Sequence, residues 1–177
     1  DDGALSSMAS PPRPSTPPRV VIVGGGFAGL YAAKALRTAP VRITVVDRTN
    51  YHLFQPMLYQ VATAALDTSD IASPIRSILR HQRNTEVLMA DVTAVDTAAR
   101  RLSLADGTDL AYDYLLLAPG VRHSYFGHDD WEASAPGLKP ADDAEDIRRR
   151  VLRACEAAER ESEVEQRRAL LTGVAAG

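Results

Sequence analysis

The order of apolar and polar residues near the start of the chain predicts a strand, a helix and a second strand in close succession. The β-branched run 19–23 is typical of a buried strand. The Ala- and Leu-rich segment 30–37 predicts a helix, which Pro40 ends. A second β-branched run, 41–47, finishes on Asp47. These elements predict one βαβ unit, whose two strands lie parallel.

Shorter elements are predicted to extend this unit as far as residue 140. A long ordered loop, a helix, a strand, a hairpin, a strand and a final loop are expected over residues 48–70, 71–81, 86–95, 101–112, 114–118 and 121–140. Asp106-Gly107 is a strong hairpin turn, because both residue types tolerate positive φ. We therefore expect an α/β fold, with a Rossmann-like parallel sheet and an antiparallel β insertion between Val87 and Tyr112.

A charged amphipathic helix is predicted to begin at Ala141 and to end near Glu165. Its apolar residues recur at steps of three and four, which places Cys155 on the apolar face. We expect the charged face to be solvated and the Cys155 thiol to be buried. The last residues predict a further strand. The chain is thus expected to comprise a Pro-rich tail (1–18), a central domain (19–140), the charged helix (141–168) and the first part of a second domain (169–177).

Composition and charge exclude several classes of protein. The chain has 177 residues and a formal net charge of −3, so no strong field favours nucleic acid. Its one cysteine excludes an internal disulfide and a CxxC pair. His123 and His128 stand beside two aspartates, but no third ligand at a supporting spacing accompanies them, and no metal site is predicted.

The first eighteen residues bear on the expected compartment. They hold five of the eleven prolines and no apolar run, which predicts a disordered tail and no signal peptide. Met8 is the first methionine and a candidate for the natural start. No stretch approaches the ~20 apolar residues that a membrane-spanning helix needs. The expected location is therefore a reducing cytoplasm.

Gly24, Gly26 and Gly29 form a G-x-G-x-x-G motif between the first strand and the first helix. Gly24 permits the tight turn, Gly26 lets a pyrophosphate approach the backbone, and Gly29 lets the helix pack against the strand. The N–H groups of the helix start then bind the anion. Asp47, at the end of the next strand, is placed to accept a hydrogen bond from a ribose 2′-hydroxyl and disfavours a 2′-phosphate. The motif predicts an ADP-containing dinucleotide and leaves FAD and NAD open.

Two further blocks resemble one enzyme family. They are the run Y-H-L-F-Q-P-M-L-Y-Q, from Tyr51, and the run H-S-Y-F-G-H-D-D-W-E, from His123. Together with V-V-I-V-G-G-G-F-A-G-L, they closely resemble the type II NADH dehydrogenases, which are single-chain NADH:quinone oxidoreductases. The resemblance extends from Arg19 to about Leu171.

The resemblance implies an FAD-binding domain followed by an NADH-binding domain. Members pass a hydride from NADH to FAD and then electrons to a quinone, as part of electron transport. They attach peripherally to the membrane through a C-terminal region, which implies the cytoplasmic face of the inner membrane for a full-length parent. The present chain would be the FAD-binding portion, truncated before the second domain, and inactive alone. Without its missing half it is expected to expose apolar surface and to self-associate.

The resemblance also carries over a set of cofactor-binding residues and no catalytic acid or base. Gly24 to Ala28 would hold the FAD pyrophosphate, Asp47 and Arg48 would meet the adenosine ribose, and the Val92 backbone would meet the adenine. The turn at Ala118 corresponds to an Ala-Thr-Gly turn in which proline here replaces threonine. The full set is Gly24, Gly25, Gly26, Phe27, Ala28, Gly29, Asp47, Arg48, His52, Pro56, Val92, Ala118, Pro119 and Gly120.

Two other hypotheses remain open at this point. One is another FAD- and NAD(P)H-dependent flavoprotein reductase, which the two family blocks disfavour. Branches of the flavoprotein superfamily that use cysteine pairs are also disfavoured, because Cys155 has no partner cysteine. The other is a non-catalytic FAD-binding fragment. The aromatic residues Tyr51, Phe54 and Tyr59 are expected either to face the flavin or to form ordinary core.

Overall fold

The computed structural model describes residues 16–121 and 123–173, and a four-stranded parallel sheet lies at its centre. The strands of this part of the chain are β1 (Arg19–Val23), β2 (Arg42–Asp47), β3 (Tyr51–Leu53), β4 (Ala72–Pro74), β5 (Thr85–Met89), β6 (Val92–Asp96), β7 (Arg101–Leu104), β8 (Asp109–Ala111) and β9 (Tyr114–Leu117). The α-helices are α1 (Phe27–Ala35), α2 (Leu58–Ala62), α3 (Thr68–Ile71), α4 (Ile75–Leu79), α5 (Ala141–Arg160) and α6 (Val164–Leu170). Short 3-10 turns lie at Gln55–Met57 and Asp129–Ala133.

The central sheet has the order β5-β2-β1-β9, and all its strands run parallel. Val21 and Ile22, on opposite faces of β1, are both buried, which explains the unbroken β-branched run of that strand. Because the strands are parallel, the residues that follow their carboxyl ends meet at one edge. The α/β Rossmann-like fold expected from the sequence is confirmed.

One face of the central sheet is covered by helices and the other by the antiparallel insertion. Helices α1 and α4 pack on the first face, where Val45 and Ile75 are fully buried. The second face carries the three-stranded sheet β6-β7-β8, whose Leu102 packs with Val21 and Val46. A third apolar cluster joins α2, α3 and the start of α5 around Leu58.

The segment from residue 48 to residue 96 contains more structure than the pattern indicates. The expected loop 48–70 holds β3, a 3-10 turn, α2 and most of α3, and the expected helix 71–81 is reduced to α4, Ile75–Leu79. A capping box between Asp67 and Asp70 starts α3. The single strand expected over 86–95 is two strands, since β5 belongs to the parallel sheet and β6 to the antiparallel one.

The C-terminal predictions need two corrections. The long helix ends at Arg160, and α6 follows; α6 includes Ala169 and Leu170, so the strand predicted from residue 169 is wrong within the described residues. Cys155 is exposed rather than buried, because α5 extends past the cluster that covers its first half, and Val151 and Leu152 are exposed as well. The tail prediction falls largely on residues 1–15, which lie outside the described residues, as do residues 174–177. Among the helices described, none combines the length and apolar character that crossing a bilayer requires.

Candidate dinucleotide site

The glycine loop leaves β1 through a turn that only glycine fits. Gly24 has φ +105°, and its N–H donates to the Val46 carbonyl at 2.8 Å. A Cβ on Gly24 would lie 2.1 Å from the Ala118 carbonyl oxygen. A Cβ on Gly29 would lie 1.8 Å from the Gly24 carbonyl oxygen. The roles expected of Gly24 in the turn and of Gly29 in helix packing agree with this geometry.

The start of α1 presents an open, uncapped surface. Gly26 is the N-cap residue and has no side chain to accept hydrogen bonds from the first-turn N–H groups. Gly26, Phe27 and Ala28 are exposed, and a Cβ on Gly26 would meet nothing within 4 Å. Unsatisfied N–H groups at the positive end of a helix bind anions. This surface therefore fits a pyrophosphate, and the empty volume above Gly26 is where the phosphate can approach.

Asp47 lies beside this surface and is already engaged with the backbone. Its Oδ2 accepts a hydrogen bond of 2.5 Å from the Gly25 N–H. Its Oδ1 accepts from the N–H of Thr49 at 2.7 Å and from the Thr49 hydroxyl at 2.8 Å. A carboxylate has about four acceptor sites, so capacity remains for a ribose hydroxyl. The sequence placed Asp47 next to the loop but gave no sign that it supports Gly25 directly.

An aromatic cluster formed by Phe27, His52 and Phe54 borders the loop. The Phe27 ring meets the His52 ring edge-on, with centroids 4.9 Å apart, and the Phe54 ring at 5.7 Å. The Nδ1 of His52 lies 3.2 Å from the Gly25 carbonyl oxygen. Phe54 and Tyr59 are 43% and 55% exposed, so these two are not ordinary core.

The structure places the remaining candidate residues at different distances from the loop. Ala118 contacts it closely: its N–H donates to the Val23 carbonyl at 2.8 Å, and Pro119 and Gly120 follow it at the same edge. Val92 begins β6, three residues beyond Met89, which pairs with Asp47 in the sheet. Arg48 and Pro56 are exposed, and no hydrogen bond or aromatic contact among the described residues joins either to the glycine loop.

The pKa of Tyr51 reports the negative charge that α5 places near β3. The pKa of the Tyr51 hydroxyl is raised, first by partial burial and then by the charges of Asp142, Glu145 and Asp47. The carboxylates of Asp142 and Glu145, in the first part of α5, thus act electrostatically on Tyr51, the neighbour of His52 in β3.

The two histidines of the last loop hold that loop together. His123 Nε2 accepts a hydrogen bond of 2.7 Å from the Leu138 N–H, and His128 stacks on Trp131 with centroids 4.3 Å apart. Within residues 16–121 and 123–173, no group of three His, Cys, Asp or Glu side chains is arranged to hold a metal ion.

A family model described as pyridine nucleotide-disulphide oxidoreductase matches residues 18–172. The chain belongs to this family. It is 47% identical over 172 residues to the type II NADH:quinone oxidoreductase Ndh of Mycobacterium tuberculosis, and 49% identical over 162 residues to NdhA of the same organism. These matches cover 96% and 90% of this chain. The resemblance to type II NADH dehydrogenases is confirmed.

Solved structures of other proteins share the fold. The sulfide:quinone oxidoreductase of Aquifex aeolicus has a TM-score of 0.72 and 26% identity, over 79% of this chain and 32% of its own. NDH2 of Plasmodium falciparum, solved with NADH, has a TM-score of 0.75 and 22% identity, over 85% of this chain and 32% of its own. The chain spans about a third of the curated relatives, with 36% of Ndh and 34% of NdhA covered.

Proposed function

We propose that this chain is the FAD-binding portion of a type II NADH:quinone oxidoreductase. The observation that carries the proposal is the uncapped start of α1 beside Asp47, which offers N–H donors to a pyrophosphate and a carboxylate to a ribose. The sequence identity to the mycobacterial enzymes supports a type II NADH:quinone oxidoreductase over other flavoprotein reductases. In that reading, residues 19–140 form the FAD-binding part, the helical region up to residue 168 follows it, and the NADH-binding domain lies beyond.

The proposed contacts with the cofactor come from residues in or next to several strands of the chain. The N–H groups of Gly26, Phe27 and Ala28 bind the pyrophosphate, and Asp47, with Arg48 next to it, meets the adenosine ribose. The remaining contacts come from the Val92 backbone at the adenine, from the segment carrying His52 and Pro56, and from the turn Ala118, Pro119 and Gly120. When bound, FAD would supply the redox chemistry, which is acceptance of a hydride from NADH followed by delivery of electrons to a quinone.

The chain alone is proposed to lack NADH:quinone activity. It spans about a third of its relatives, and no residue in it is assigned as an acid or a base. NADH and quinone are therefore partners proposed for a longer parent, which would act at the cytoplasmic face of the inner membrane. NADH-dependent quinone reduction by the purified 177-residue chain, above a control with free FAD, would contradict this.

The visible absorption spectrum of the purified, desalted chain tests FAD binding, with the released cofactor identified by mass. We expect a flavin spectrum with close to one FAD per folded chain. A folded chain that takes up no FAD, even when the flavin is added in excess, would contradict the proposal and favour a non-catalytic role.

A second candidate is another FAD- and NAD(P)H-dependent reductase. Its support is structural, since putidaredoxin reductase shares the fold with a TM-score of 0.61 and 28% identity over 77% of this chain. Both candidates would use FAD, so flavin content does not separate them. A panel of acceptors, with quinones against small redox proteins, offered to a full-length homologue does separate them.

A further inference from the structure

The two peptide groups that meet at Gly25 are each held by a side chain from elsewhere in the chain. The Gly25 N–H donates to Asp47 Oδ2 at 2.5 Å, and the Gly25 carbonyl oxygen lies 3.2 Å from His52 Nδ1. Gly25 itself is buried, and a Cβ there would lie 2.3 Å from Ile75 Cδ1. Asp47 ends β2, whereas His52 lies in β3, so two separate elements orient the same residue of the loop.

The contact between His52 and the Gly25 carbonyl also sets the direction of an N–H group that can donate a hydrogen bond to a phosphate. The Gly25 C=O and the Gly26 N–H belong to one planar trans peptide group and point in opposite directions. A carbonyl turned toward His52 therefore turns the Gly26 N–H away from His52. The Gly25 N–H is already given to Asp47, so Gly26 is the first residue of the loop whose N–H remains for an anion.

The His52 ring is itself fixed in place. The strand pair β3–β4 sets its backbone, with His52 opposite Ser73, and the Phe27 ring lies edge-on to the imidazole at an interplanar angle of 87°. Since a carbonyl oxygen only accepts, the contact at Nδ1 requires the proton on that nitrogen.

We propose that His52 is a positioning residue, whose Nδ1–H fixes the Gly25 carbonyl opposite the Asp47 contact and so aims the Gly26 N–H at the FAD pyrophosphate. This inference deepens the proposed function and rests on it. It assigns to His52 an action through the backbone of the loop, in addition to the cofactor contacts proposed for its segment.

The test compares two replacements of His52 in the 177-residue chain, with FAD as the titrated probe and flavin fluorescence as the signal. His52→Phe keeps a ring against Phe27 but removes the donor. His52→Asn places an amide N–H at the same number of bonds from Cα as Nδ1. We expect His52→Phe to weaken FAD binding by about threefold to tenfold, as for one lost hydrogen bond, and His52→Asn to restore it. A purely structural role in ring packing predicts the reverse order, with His52→Phe the milder change, and that result would overturn the proposal.

The wild-type chain provides a second measurement that needs no variant. Nitrogen-15 NMR of histidine-labelled chain at pH 8 distinguishes the two neutral tautomers of His52. We expect the Nδ1–H tautomer, and a dominant Nε2–H tautomer would overturn the proposal even if His52→Phe fails to fold. Should the wild-type chain bind no FAD, the proposed function fails, while the tautomer still decides whether His52 holds Gly25.

Discussion

Gly29 stands so close to Gly24 that a Cβ on Gly29 would lie 1.8 Å from the Gly24 carbonyl oxygen. The first turn of α1 is therefore packed directly on the end of β1, with no room for a side chain. Gly26, three residues earlier, faces open space. Gly29 is therefore required for the packing of the fold, whereas Gly26 leaves space for a ligand.

The variants Gly29→Ala and Gly26→Ala should separate these two roles. Gly29→Ala places a Cβ against the backbone of Gly24 and should lower the free energy of unfolding by about 1–3 kcal/mol. This loss lowers Tm by roughly 2–12 °C in a chain of this size. Gly26→Ala should leave the Tm of the ligand-free chain nearly unchanged, because its Cβ meets nothing, but should weaken FAD binding by blocking the phosphate. Thermal melts and FAD titrations measure both. Equal Tm losses for the two variants would contradict the division.

Asp47→Asn should weaken FAD binding by roughly tenfold to a hundredfold, the range for lost charge-assisted hydrogen bonds. An amide has one acceptor oxygen, so Asn cannot hold Gly25 and Thr49 from separate oxygens as the carboxylate does. Asp130→Asn, an exposed change in the turn Asp129–Ala133, is the matched control and should leave FAD binding unchanged. If both variants bind FAD equally well, Asp47 has no role in the site.

The sequence identifies the parts of the site that follow from short-range rules. A glycine motif between a β-branched strand and a helix, followed by an acid at the next strand end, determines the placement of Gly24 and Asp47. The His52 contact with Gly25 depends on how β3 and β4 pair, and three-residue strands leave no periodic signal. The predicted burial of the Cys155 thiol was wrong for a related reason, since periodicity reveals an apolar helix face but not whether another element covers it.

Leu102→Ala should destabilise the fold by about 2–5 kcal/mol, the usual cost of truncating a buried leucine. Leu102 is fully buried in the layer between β7 and the central sheet, where it packs with Val21 and Val46. The control is Val164→Ala in α6, which is 78% exposed and should change stability by less than ~0.5 kcal/mol. Urea unfolding gives both values. A small effect at Leu102 would mean that the antiparallel insertion is not packed on the sheet in solution.

The capping box of α3 should add an acid-sensitive contribution to stability. The pKa of the Asp67 carboxyl is lowered, first by the Ser69 N–H, next by the Ser69 hydroxyl and then by the Arg148 charge. A lowered folded-state pKa means that the contribution is complete above the unfolded pKa near 4 and is lost as pH falls through the folded value.

Thermal melts of the wild type and of Asp67→Asn from pH 7 to about pH 3 test this, since the variant cannot titrate. The Tm of the wild type should fall more steeply below pH 5 than that of Asp67→Asn, and Ser69→Ala should lie between them because it keeps the backbone N–H. Raising the salt concentration should shrink the difference, because Asp67 is exposed. Parallel pH profiles for all three chains would contradict the role of Asp67.

The chain should self-associate through β9, which is an edge strand of the central sheet in the part of the chain that the structure describes. β9 pairs with β1 on one side, and Tyr114 and Leu117 are 64% and 55% exposed. An uncovered strand edge with apolar side chains favours pairing with another chain.

Sedimentation velocity should therefore show species larger than the monomer that increase with concentration. Leu117→Lys should shift the chain toward monomer, because a charge at this edge opposes pairing. Val164→Lys, at a still more exposed apolar residue in α6, is the control and should leave the distribution unchanged. A wild-type chain that stays monomeric throughout, or an equal response to both lysines, would show that the β9 edge is not the contact.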